Sequence, residues 1–179
     1  MTAKPPTMTQ YRNVCHDMLR AASSAGYPVL IDRNAHPAVV LGCGVALVIA
    51  AGQRTDTGLE ELLDECTEMA FFVGSALTPP DCRVDLNDQE RALAKAVLKL
   101  VREFHNQPAV LLFDRAFNYV AERDLADTLG LISVVVQLLQ YIETLKPGVL
   151  GALDGELEMQ AWVDRASEQL VTATDLEDL

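Results

Sequence analysis

An all-α fold, a single globular bundle of about seven helices around a fully apolar central helix, is what this sequence predicts. Three observations predict it. The stretch Ala38–Ala51 (AVVLGCGVALVIAA) has no charged residue and no side-chain amide or hydroxyl. It therefore has no face that water would favour, and it belongs inside. Thr7-x-x-Gln10, Thr57-x-x-Glu60 and Asn87-x-x-Glu90 are capping-box signatures, each followed by apolar residues at helical spacing. Aromatic residues are only 6% of a chain that is 50% hydrophobic, so the apolar mass is aliphatic and suits packed helices.

Residues 1–6 read as a flexible N-terminal tail, 7–172 as the helical domain and 173–179 as an acidic C-terminal tail. After the first box, Tyr11, Val14, Cys15, Met18, Leu19 and Ala22 repeat with the period of one helix face, and Gly26 is a stop. Tyr27–Arg33 is a connector or a lone strand. The central helix follows, with Asn34 or Asp32 as its expected cap, Pro37 in its first turn and Gly52 at its exit. Ala38, Gly42, Ala46 and Ala50 recur at i, i+4, a stripe against which another backbone can come close. Fourteen residues are too few to span a bilayer, which takes ~20.

Thr57 opens a third helix that runs to about Leu77, where Pro79 and Pro80 stop it. Asn87 opens a fourth, with Leu93, Ala94, Val97, Leu98, Leu100, Val101 and Phe104 facing inward. Pro108 falls in the first turn of a fifth, with Asn106 as its cap and Leu112, Phe113, Ala116, Phe117 and Val120 on its apolar stripe. Asp124 or a neighbour starts the second strongly apolar segment, Leu129–Leu145, which is expected to lie against Ala38–Ala51 and to end at Lys146-Pro147-Gly148. Asp154 caps a last helix, with Met159, Trp162, Val163, Ala166 and Leu170 on its buried face. The competing pattern makes Pro28–Asp32, Ala38–Ala50, Arg83–Leu86 and Val110–Phe113 strands of a small sheet. A thirteen-residue strand holding two glycines is awkward, because strands are usually about five or six residues long.

Charge is unevenly placed. The formal net charge is −12. Residues 56–68 carry six acids and no base, and residues 154–179 carry eight acids and one base, so these stretches contribute −6 and −7 and the rest sums to +1. Such a surface is a poor match for nucleic acid, whose binding depends on Lys and Arg meeting phosphates. It suits solubility or a basic protein partner. Cys15, Cys43, Cys66 and Cys82 are far apart with no C-x-x-C, and residues 1–10 are polar with two prolines, unlike a signal peptide. Reduced thiols packed as small hydrophobes in a cytoplasmic protein is the expectation.

Catalytic patterns are sparse. Glu60, Asp64 and Glu68 share a helix face beside Glu61 and Glu65, yet no Glu-x-x-His or H-E-x-x-H accompanies them. Ser75 lacks the G-x-S-x-G elbow, and Cys15 and His16 are neighbours that diverge by about 100° on a helix. Gly42-Cys43-Gly44 has no third glycine for a phosphate fingerprint and is better explained by close helix packing. Asp114, Arg115, Glu122, Arg123, Asp124 and Asp127 read as an intramolecular ion-pair cluster. Arg91, Lys95 and Lys99, at i, i+4, i+8, with Arg102 nearby, form the one basic stripe, suited to neutralising an acidic surface within the chain or across an oligomer.

The expectation is a non-enzymatic interaction or regulatory protein, immunity-, inhibitor- or chaperone-like, that binds a basic protein through an acidic surface. No cofactor, metal, nucleic acid or membrane is expected, and homo-oligomerisation is. The contact residues would be Glu60, Glu61, Asp64, Glu65 and Glu68 with Arg91, Lys95, Lys99 and Arg102. The alternatives are a helical small-molecule-binding protein or enzyme with an apolar pocket between helices, and a homo-oligomeric structural subunit.

Overall fold

Six helices appear in chain order: α1 (Met8–Ser23), α2 (Pro37–Gly52), α3 (Leu59–Met69), α4 (Asp88–Phe104), α5 (Ala109–Ala121) and α6 (Leu125–Leu145). A seventh helical stretch, α7, covers residues 149–160. The computed structural model describes residues 7–23, 35–69 and 88–160. Among them there is no strand, and the segments Ala38–Ala50 and Val110–Phe113 are helical. Outside them lie both tails, Gly26, the Tyr27–Arg33 connector, Asp32 and Asn34, the run from α3 to Leu77 with its prolines, Arg83–Leu86, the Asn87 cap, Cys82 and the stripe from Trp162 to Leu170.

The first capping box forms as its sequence implies. Thr7 N–H donates to Gln10 Oε1 at 3.1 Å and Gln10 N–H donates to Thr7 Oγ1 at 3.2 Å. Val14, Cys15, Met18, Leu19 and Ala22 are buried on the face that α1 turns inward.

α2 is the centre of the bundle, touching α1, α3, α4, α5 and α6. Twelve of its residues are buried. Its cap differs from expectation: His36 Nδ1 accepts from Ala38 N–H at 3.2 Å, and the imidazole stacks on Phe117 with centroids 4.7 Å apart. An imidazole that packs on α5 while capping α2 does both jobs at the position next to Pro37. Gly52 is the last helical residue, and Gln53 is the C-cap.

The glycines of α2 are packing devices. A Cβ on Gly42 would come within 2.6 Å of the Phe113 ring of α5. One on Gly44 would come within 2.5 Å of Val135 on α6 and 2.6 Å of Met18 on α1. Without side chains there, three helices approach α2 at contact distance, which is how dispersion becomes large in aggregate.

α6 lies against α2 as expected, burying Leu131, Ile132, Val134, Val135, Leu138, Leu139 and Ile142. Asp124 caps it by accepting from Asp127 N–H at 2.8 Å. By length and composition α6 could cross a membrane; contacts with α1, α2 and α4 bury one face of it, while Leu125, Leu129 and Leu145 are exposed. Gly148, at φ +91°, turns the chain into α7.

Three further local expectations are corrected. α3 begins at Leu59 behind Gly58, not through a Thr57–Glu60 box, because the Glu60 carboxylate reaches His105 instead. Asn106 does not cap α5; Pro108 holds the N-cap position without a side-chain bond, and Asn106 Nδ2 meets His105 Nε2 at 2.6 Å. α7 starts at Val149, so Asp154 is mid-helix. Its first turn is held from α6, where the two Glu143 oxygens accept from Gly148 N–H at 2.7 Å and Leu150 N–H at 2.9 Å. The buried face of α7 is accordingly Val149, Leu150 and Leu153, and Met159 is exposed.

Candidate functional site

The acidic residues of α3 and Arg102 of α4 meet along one edge of the bundle, because α3 packs on α4 and α2 with Leu59, Leu62, Leu63 and Cys66 buried beneath. That apolar stripe turns Glu60, Glu61 and Asp64 to solvent and leaves Glu65 half-buried. The Glu60 and Asp64 side chains are 64% and 69% exposed. Glu68 is on the same helix, and its side chain is not among those described.

Arg102 comes up from α4 between the carboxylates, with Nη2 2.8 Å from Asp64 Oδ1 and Nη1 3.9 Å from Glu60 Oε2. His105, at the end of α4, brings Nε2 to 3.1 Å from Glu60 Oε1. Its Nδ1–H donates to the Arg102 carbonyl at 2.8 Å, which leaves Nε2 two partners. A neutral ring accepts there from Asn106 Nδ2, and a protonated ring donates there to Glu60. Of the expected basic residues, therefore, Arg102 joins the acidic face, while Arg91, Lys95 and Lys99 are exposed and make no ion pair with a described residue. His105 is the member that sequence reasoning misses. A histidine after the last turn of a helix is unremarkable until the neighbouring helix puts a carboxylate beside it.

Below His105 is a cavity of about 130 Å³ lined by Ala46, Ile49, Phe104, His105, Gln107 and Leu112. It exists because α2 presents the small side chain of Ala46 to the α4–α5 corner, so the notch between the helices is not filled. Its walls are mostly apolar, with the polar side chain of Gln107 among them, and its lining includes the imidazole that touches Glu60. The site can hold a cation at the rim and a slender apolar group beneath it.

The other chemically notable groups are arranged for packing. Cys15, Cys43 and Cys66 are free and buried. The Cys43 thiol is held far above its ordinary range, first by its hydrogen bond with the Cys15 thiol and then by burial. Burial, with Glu65 adding to it, pushes the Cys66 thiol up to about 12, and burial likewise raises the Tyr11 phenol. Thiols in that condition are poor nucleophiles. The charged cluster around α5 is not knit to itself: Arg115 pairs with Glu103 at 3.8 Å, and Arg115 and Arg123 lie over the Tyr119 ring at 5.3 and 4.4 Å. Among the described residues, His16, His36 and His105 bond to Asp154, Ala38 N–H and the Glu60–Arg102–Asn106 group, with no thiol or hydroxyl in reach.

Comparison of the chain with protein-family models, curated proteins and solved structures returned no match to any of the three.

Proposed function

We propose that this chain is a protein-binding module that takes a basic partner on the α3–α4 edge. The observation that carries the reading is the shared position of His105, which joins an exposed row of carboxylates to an apolar socket. A lysine or arginine side chain of the partner suits that combination, with its aliphatic stem in the socket and its charge among Glu60, Glu61 and Asp64. Glu60, Glu61 and Asp64 of α3 are exposed, and among the described residues Arg102 is the guanidinium that pairs with them, so the edge keeps a negative excess that would steer a basic protein. At about 130 Å³ the socket is smaller than the ~300–1,000 Å³ of ordinary small-molecule sites, which weighs against a metabolite as the main ligand.

Affinity purification from the source cell tests this with the native chain beside a Glu61→Lys, Glu65→Lys variant. One dominant basic protein should be retained by the native chain, released by about 0.5 M salt and lost from the variant, chiefly through slower association. Equal retention by both, or no retained protein, removes the reading. Recovery of the chain alone, with a mass in solution that rises with concentration, would favour pairing of the α3 acids with Arg91, Lys95 and Lys99 of a second copy.

A further inference from the structure

α1 and α7 meet at a second, separate cluster. His16 Nδ1 lies 2.5 Å from Asp154 Oδ1, and Glu158 adds a third ligand-type atom, all within 4.8 Å of one another. We propose that His16, Asp154 and Glu158 form a binding site for one divalent transition-metal ion of the zinc type, which bridges α1 and α7.

Geometry is the first argument. Ligand atoms ~2.0–2.2 Å from a common ion are roughly 3–4 Å from one another, so a set spread over no more than 4.8 Å closes on an ion with small rotations. Asp154 and Glu158 are one helical turn apart and share a face of α7, and the imidazole approaches from a different helix. Three ligands from one side leave the remaining positions to water. The His16 and Asp154 side chains are only 28% and 30% exposed, so the inner part of the site is partly screened, and exposed Glu158 keeps it accessible.

Charge is the second argument. Two carboxylates at i, i+4 repel each other. A dication neutralises both. Binding replaces the His16–Asp154 hydrogen bond: the imidazole Nδ1, carrying no proton there, and the carboxylate oxygen each take the metal, and the two atoms move apart by about 0.5–1.5 Å. Imidazole with carboxylate selects zinc, cobalt or nickel ions over calcium or magnesium, which prefer all-oxygen sites.

The test uses the tag-free full chain, stripped with a chelator and titrated with zinc or cobalt ions. One equivalent should bind, more weakly as pH falls because protons compete with the metal for the ligand atoms. The melting temperature should rise by about 5–10 °C at a hundredfold excess over the dissociation constant. The cobalt form should show visible ligand-field bands without the near-ultraviolet band of thiolate coordination. His16→Asn should abolish the melting shift, and Glu158→Gln, at an exposed position that folding does not need, should weaken binding by about tenfold or more. Failure of the native chain to bind at millimolar metal overturns the proposal. So does a thiolate band, or equal binding by native and Glu158→Gln protein.

Discussion

α2 and α3 are consecutive helices with opposite economies. α2 has no charged side chain and buries twelve of its sixteen residues. α3 carries five carboxylates in eleven residues and, among its described side chains, buries the stripe through Leu59, Leu62, Leu63 and Cys66. Packing at α2 is a matter of tenths of an ångström, because Gly42 and Gly44 already touch three helices. Contacts on the outer face of α3 are ion pairs in water, worth about 0–1 kcal/mol each. The bundle therefore draws its stability from one helix and displays its charge on the next, and substitutions in the two should have effects of different size.

The largest effect belongs to Gly44→Leu. A leucine there meets Val135 and Met18 at once, and overpacking of about 1–3 kcal/mol at an ordinary site should be exceeded, lowering the urea midpoint sharply. Gly155 on α7 has open space where its Cβ would go, so Gly155→Ala should stabilise by about 0.5–1 kcal/mol through helix propensity. Equal shifts at the two glycines would mean that the α2 seam is not close-packed.

An intermediate effect comes from pH. Cys66 in the folded chain ionises near 12, against an ordinary value of 9.0. Its raised value favours the folded state fully below pH 9; between about 9 and 12 the unfolded chain sheds the proton first and that stability is lost, at about 1.4 kcal/mol per pH unit. Tyr11 and Cys43, also raised, steepen the loss. Urea midpoints at pH 8 and pH 11 should differ markedly in the native chain and less in Cys66→Ala. An unchanged difference would place the alkaline sensitivity on other groups.

The smallest effect is expected of Arg102→Ala. Its guanidinium contacts Asp64 and Glu60, but both carboxylates are mostly exposed. Stability should change by under about 1 kcal/mol, and by less still in molar salt. A loss several times larger would show that these pairs fasten α3 to α4 and are not simply displayed.

How far each helix is legible in the sequence follows the same division. α2 is plain from composition, since a segment without polar side chains has one place to go, and α6 is nearly so because its polar residues are few. Thr7 and Gln10 declare the start of α1 because their partners are each other. Thr57 and Glu60 carry the same signature and fail, since Glu60 has His105 and Arg102 within reach. Asp154 misleads for a similar reason: α7 is held at its start by Glu143 of the preceding helix, and Asp154 pairs with His16 across most of the chain. The acidic row on α3 can be read from residue types alone; its socket and His105 cannot, because α2, α4 and α5 make them together.

The position of α2 also bears on how the chain reaches its fold. Valine, isoleucine and glycine are weak helix formers, so an isolated α2 gains little from propensity and has no amphipathic face to shelter it. α1 and α3 beside it in the chain supply part of its cover, but other partners are far along: Gly42 meets Phe113 and Gly44 meets Val135. The centre of this bundle is therefore completed by non-local contacts, and α2 is fully covered only when α5 and α6 arrive. For a helical protein that is a high-contact-order route, slower than the local zipping of an up-and-down bundle, with the most apolar segment of the chain kept waiting until its cover is in place.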